Sequence, residues 1–163
     1  MKRISLLFLI AFSLIAAEAE AARYYYFEHL KATDGLPSNT IYCSIQDKDG
    51  FMWIGTRDGL CRYDGRSFVR IDEIIPKLSM SGMVMNVAED VLGRIWFSTS
   101  NGIYSYNPST SESGELGIPE KSGCMDIHAD KRGNVWFACS NSLYRHDTAN
   151  SGIHSYSIGN SRP

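Results

Sequence analysis

Charge of one sign is lacking in this sequence. Its 163 residues carry 16 Lys and Arg against 18 Asp and Glu, a net charge of −2. A nucleic-acid partner, which asks for a strongly basic face, is therefore not expected. Catalytic and metal signatures are lacking too. His29, His128, His146 and His154 show neither HExxH nor HxH spacing, and the four cysteines form no CxxC pair, so a zinc site has no signature. No G-x-S-x-G elbow marks a nucleophile. Asp49, Asp58, Asp64 and Asp72 crowd one stretch, but without EF-hand spacing, and each stands where a turn favours aspartate. The expectation is no catalytic residue, no metal and no cofactor.

Long apolar runs are almost absent. The exception is the N-terminus, where Lys2-Arg3 precedes an uncharged run from Ile4 to Ala17 and small-x-small sites follow at Ala17-Glu18-Ala19 and Ala19-Glu20-Ala21. The run is shorter than the roughly 18–20 residues a spanning helix needs. Residues 1–22 are read as a cleaved secretory signal, and 23–163 as an exported segment with no membrane contact of its own. Cysteine is sparse for a disulfide-held scaffold. Cys43 and Cys124 fall on first strands of the units described next, Cys139 on a second and Cys61 on a third. They read either as small buried residues or as one or two bridges between adjacent strands.

All three tryptophans belong to one recurring stretch. DKDGFMWIGT (47–56), DVLGRIWFST (90–99) and DKRGNVWFAC (130–139) share D-x-x-G-x-x-W, with 43 and then 40 residues between tryptophans. A period of about 40–50 residues is that of a β-propeller blade. Ile45, Val87 and Ile127 close an apolar run before each aspartate, so a strand ends there. The aspartate can accept backbone amides a few residues on, and Gly50, Gly93 and Gly133 can supply the left-handed backbone of a tight turn. Second strands then follow, Met52 to Thr56, Ile95 to Thr99 and Val135 to Cys139, apolar on both faces as buried inner strands are. On the tryptophan side come Gly55, Ser98 and Ala138, small enough to admit a neighbouring sheet. Hairpin turns at Arg57-Asp58-Gly59 and Ser100-Asn101-Gly102 lead to third strands at Leu60 to Asp64, Ile103 to Asn107 and Leu143 to Asp147. The third hairpin has Asn141-Ser142 and no glycine. Shorter fourth strands fit Ser67 to Ile71, Gly114 to Ile118 and Ile153 to Ser157.

The fold expected is all-β: a partial propeller of three four-stranded antiparallel blades, about 41–71, 83–118 and 124–156, preceded by an aromatic closure strand at Tyr24 to Phe27. Closed rings have about 4 to 8 blades. An N-terminal fragment is therefore expected, completed by the remaining blades of a longer chain or by another copy. Tyr24, Tyr25, Tyr26, Tyr63, Tyr104, Tyr106, Tyr144 and Tyr156 are read as packing residues rather than sugar platforms. Ligand contact is expected at loops on one end of the ring: Ser38-Asn39, Met80-Ser81, Lys121-Ser122, Arg57-Asp58 or Ser100-Asn101. No binding residue is singled out.

With these residues placed, the chain resembles the periplasmic sensor region of hybrid two-component regulators of the Bacteroides type. Residues 35–65, GLPSNTIYCSIQDKDGFMWIGTRDGLCRYDG, are similar to the two-component regulator propeller repeat, and 90–107 and 130–147 more loosely so. The resemblance implies a periplasmic sensor of oligosaccharides lying ahead of a transmembrane helix, a histidine kinase, a receiver and a DNA-binding domain, none of which is in this sequence. The D-x-x-G-x-x-W stretch also has turn chemistry in common with the Asp box of sialidases, whose spacing is one residue shorter. The function expected is glycan sensing without catalysis. An extracytoplasmic propeller lyase or glycosidase, and an inactive remnant or interaction scaffold, are the alternatives.

Overall fold

A computed structural model describes residues 25–75, 82–118, 124–140 and 142–157. The secretory signal, Tyr24, Met80-Ser81 and Lys121-Ser122 lie outside the described residues. Three four-stranded antiparallel sheets make up the fold, each in simple up-and-down order. The first holds β1 (Ile41–Gln46), β2 (Met52–Thr56), β3 (Gly59–Tyr63) and β4 (Phe68–Arg70). In the second are β5 (Val84–Glu89), β6 (Ile95–Thr99), β7 (Gly102–Tyr106) and β8 (Ser113–Leu116). The third has β9 (Cys124–Ala129), β10 (Asn134–Cys139), β11 (Ser142–Asp147) and β12 (Ile153–Ser157). A four-residue helix, α1 (Ile71–Ile74), leaves β4 and buries Ile71 in the core; the sequence reading continued the fourth strand through Ile71.

The blades pack face on face. Trp53 of the first blade lies in one cluster with Val84, Val87, Ile95, Phe97, Tyr104 and Tyr106 of the second. Trp96 repeats the arrangement against Val135, Phe137 and Tyr144 of the third. Each interface therefore joins the tryptophan side of one second strand to the Ile/Phe side of the next, the geometry expected from strands apolar on both faces. The small residue beside each tryptophan admits the neighbour. A Cβ on Gly55 would run into Cys43 Sγ and come 2.8 Å from the carbonyl oxygen of Val84, and the Ser98 hydroxyl donates to the Cys124 carbonyl at 3.2 Å.

The first blade's outer face is covered from within the chain. Leu36, 4% exposed, packs on Ile54 and Cys61, with Met52, Tyr63 and Phe68 around them. A one-turn 3-10 helix, Ala32–Asp34, sets that loop, and Asn39 Oδ1 ties it down by accepting from the Ala32 amide at 2.8 Å.

Two expectations change. Tyr25, Tyr26 and Phe27 form no strand and are 73%, 91% and 82% exposed. Aromatic strand preference expresses packing on a pleated surface, and among the described residues no sheet edge pairs with this segment. The tyrosines also divide: Tyr104, Tyr106 and Tyr144 are buried, Tyr63 stacks on Phe68, and Tyr156 is exposed and stacked on Trp136.

Candidate functional site

Each D-x-x-G-x-x-W aspartate builds the same small structure. Asp47 Oδ1 accepts the amides of Asp49 and Phe51, and its Oδ2 accepts the Trp53 indole N–H at 2.7 Å. Asp90 takes the amides of Leu92 and Arg94 and the Trp96 indole at 2.8 Å. Asp130 takes those of Arg132 and Asn134 and the Trp136 indole at 3.0 Å. One carboxylate thus closes the turn and fixes the ring that forms the blade interface. The glycine of each turn has positive φ: 91° at Gly50, 78° at Gly93 and 85° at Gly133. Burial raises the pKa of Asp90, but bonds from the Trp96 indole and from Arg94 more than offset it and hold the carboxyl below its usual range. The Trp136 indole and Asn134 hold Asp130 low in the same way. These aspartates are structural.

The first strands of neighbouring blades, β1, β5 and β9, lie against one another and line the inside of the arc. Antiparallel order puts the starts of these strands at the same end as the hairpins Arg57-Asp58 and Ser100-Asn101, opposite the aspartate turns. Ser38-Asn39 falls at this end as well; the Arg57 amide donates to the Thr40 carbonyl at 3.0 Å. The expected contact points that are described therefore gather at one mouth of the arc.

At that mouth each first strand bulges at the same place. Pairing skips Tyr42 between Ile41 and Cys43, Met85 between Val84 and Asn86, and Met125 between Cys124 and Asp126. A bulge re-aims the extra side chain, and all three residues are exposed, Tyr42 at 45%, Met85 at 37% and Met125 at 73%. Bonds between blades run beside them: Cys43 Sγ to the Val84 carbonyl at 3.9 Å and Asn86 Nδ2 to the Met125 carbonyl at 2.6 Å. Sequence reasoning missed this collar. Its signal was a large side chain five residues before each aspartate.

Cys124 and Cys139 are directly paired across β9 and β10 and form a disulfide. Cys43 and Cys61 are free, and burial pushes their thiols up to about 11 and about 12 respectively, so neither is a nucleophile at neutral pH. Arg94 packs beside Trp96 and His146, and His146 is held below its usual pKa, first by burial and then by Arg94. On the outer side of the third blade Asp126, His128, Trp136, Ala138 and Leu143 surround a hollow of about 80 Å³.

Residues 35–58 match the family described as the two component regulator propeller. The match is confined to the loop ahead of β1 and to the first two strands with their hairpin turn. The stretch contains Leu36, the first bulge, Asp47 and Trp53, so the repeat carries the plug, the collar and the interface together. The chain is 36% identical over 69 residues to histidine kinase P4 of Formosa agariphila, a match covering 42% of this chain and 5% of the kinase. It is similar to the extracellular domain of a hybrid two-component system from B. thetaiotaomicron, with 28% identity, a TM-score of 0.67, and coverage of 80% of this chain and 18% of that one. A second such domain gives a TM-score of 0.70 at 22% identity, covering 82% and 20%. Streptogramin B lyase has the fold in common with it, with a TM-score of 0.61 at 22% identity over 77% of this chain and 43% of the lyase. The chain thus spans about a fifth or less of the sensor proteins it matches.

Proposed function

We propose that this chain is a ligand-sensing propeller segment of a two-component regulator, exported to the periplasm by its N-terminal signal, taking an oligosaccharide as ligand and catalysing nothing itself. The observation that carries this reading is the regulator repeat at 35–58 within a chain similar to a sensor's extracellular domain over four-fifths of its length. The lyases share the fold alone, and the buried thiols and turn-bound aspartates have structural partners.

The collar at the strand starts is where a ligand would be read. Tyr42 offers an aromatic face to the C–H side of a sugar ring, and Met85 and Met125 offer adaptable apolar surface. Bonds between blades hold these backbones in place, so little ordering cost falls on binding. A ligand that bridges neighbouring first strands would favour one spacing of blades over another and shift the population of signalling states.

Titration calorimetry of the exported segment against oligosaccharides released from a panel of polysaccharides tests the reading. One chemical class should bind, and Tyr42→Ala should weaken it on the order of tenfold. Retention of full affinity by Tyr42→Ala would move the site elsewhere, and silence across all classes would remove the glycan assignment.

A further inference from the structure

The two interfaces inside this chain are built from the same three parts. An indole meets a ring of the next blade: Trp53 lies 6.0 Å from Tyr106, and Trp96 lies 5.6 Å from Phe137 and 5.0 Å from His146. A small residue, Gly55 or Ser98, faces the opening of the next first strand. A first-strand side chain, Cys43 or Asn86, donates to a carbonyl of that strand. Trp53 and Trp96 are consequently 0% and 3% exposed.

The third blade sets out the same parts with no other blade against them among the described residues; Tyr156 and Arg145 of its own sheet lie on Trp136 at 6.0 and 5.8 Å. Register places Asp126 opposite Ala138 and His128 opposite Trp136 on one face, and these four with Leu143 line the hollow. Leu60 and Ile103, the counterparts of Leu143, are 1% and 0% exposed, whereas Leu143 is only half-buried. The geometry points to this face as the docking surface for a further four-stranded unit of the same repeat, presenting an Ile/Phe-type second strand as β6 and β10 do. A second copy of this chain would present its first blade instead, where Ile54 and Cys61 stand in place of the Phe and Tyr pairs of the two inner interfaces.

Asp126 makes the third surface differ from the other two. Cys43 and Asn86 are donors, and they meet carbonyl oxygens. An ionised carboxylate only accepts. One of its oxygens takes the Ile127 amide at 2.9 Å, and the side chain stays exposed beside His128. The incoming unit therefore brings an N–H, a hydroxyl or a cationic side chain to the place where the inner interfaces offer a carbonyl. Asp126 discriminates against a plain copy of the second or third repeat.

The test extends the full chain after residue 157 with a second copy of its own residues 83–118, joined by its own 119–123, with Trp96→Phe in the added copy so that it brings no exposed indole of its own. Iodide quenching of tryptophan and thermal melting are read with and without Asp126→Asn, which restores the donor found at Asn86. We expect the extension carrying Asp126→Asn to abolish the quenchable tryptophan fraction and raise Tm by about 3 °C or more. Extension with Asp126 retained should gain less, and Asp126→Asn alone should change neither. Unchanged quenching in both extended chains, with the parent sheets intact by circular dichroism, overturns the docking surface. Equal gains with Asp and Asn overturn the donor requirement. A parent chain that sediments as a dimer with Trp136 already shielded makes a second copy the occupant, and the proposal falls. Should the extension fail to fold, residues 83–118 carrying Trp96→Phe and supplied in trans must give saturable protection of Trp136 in the folded parent; none counts against it.

Discussion

Asp90 shows how much one side chain can organise. It satisfies two turn amides, the Trp96 indole and the Arg94 guanidinium at once, while being 6% exposed. Replacing Trp96 by Phe keeps most of the ring and removes the indole N–H, which leaves a buried carboxylate short of a donor. Urea unfolding should show a loss of about 1.5–3 kcal/mol. Acid should act through the same groups. The folded-state pKa values of His146, Asp90 and Asp130 are all lowered, so at low pH the unfolded chain takes up protons that the folded chain resists. Stability from His146 is full above about 6.5 and declines as pH falls through its lowered value; that from the two aspartates declines only below about 4. Melting temperature measured from pH 8 to pH 3 should therefore fall in two stages. His146→Gln should remove the upper one.

At the scale of elements, the strands were legible because each carries its own instructions. Turn glycines take positive φ at 50, 93 and 133, and the residues between them alternate as sheet residues do. The third hairpin turns without glycine because Ser140 itself takes a φ of 44°. What sequence left dark depends on register. Cysteine spacing alone could not choose between buried thiols and bridges, whereas pairing sets Cys124 against Cys139. The three bulges were invisible for the same reason: a single skipped residue changes no composition. The helix Ile71–Ile74 replaces the end of an expected strand because its apolar residues reach the interface with the second blade. Closing a loop of 15 residues, the Cys124–Cys139 bridge should contribute about 3 kcal/mol. Reduction, or Cys124→Ser, should lower the denaturation midpoint accordingly, and reducing agent should have no further effect on Cys124→Ser.

At the scale of the whole molecule, blade approach is set by the residue beside each tryptophan. Gly55→Ala should be the costlier of two similar changes, since its Cβ meets a backbone carbonyl at 2.8 Å, and overpacking of this kind costs about 1–3 kcal/mol. Ser98→Ala removes only the bond to the Cys124 carbonyl and should cost about 1 kcal/mol. Comparable losses for both, by thermal or urea unfolding, would mean that the first two sheets can slide apart freely. The general plan of stacked blades was readable from three tryptophans at a near-constant period. The candidate site was not, because the collar arises only when three separate strands are laid side by side.

The leucine plug gives assembly a direction. With Leu36 seated on Ile54 and Cys61, this blade covers one flank from its own upstream residues as soon as it leaves the ribosome, before the blades that follow it in the chain exist. Every later blade would dock onto a neighbour already in place, so structure should grow from the amino end. Protease protection of stalled nascent chains should accordingly advance blade by blade, and Leu36→Ala should delay its first step.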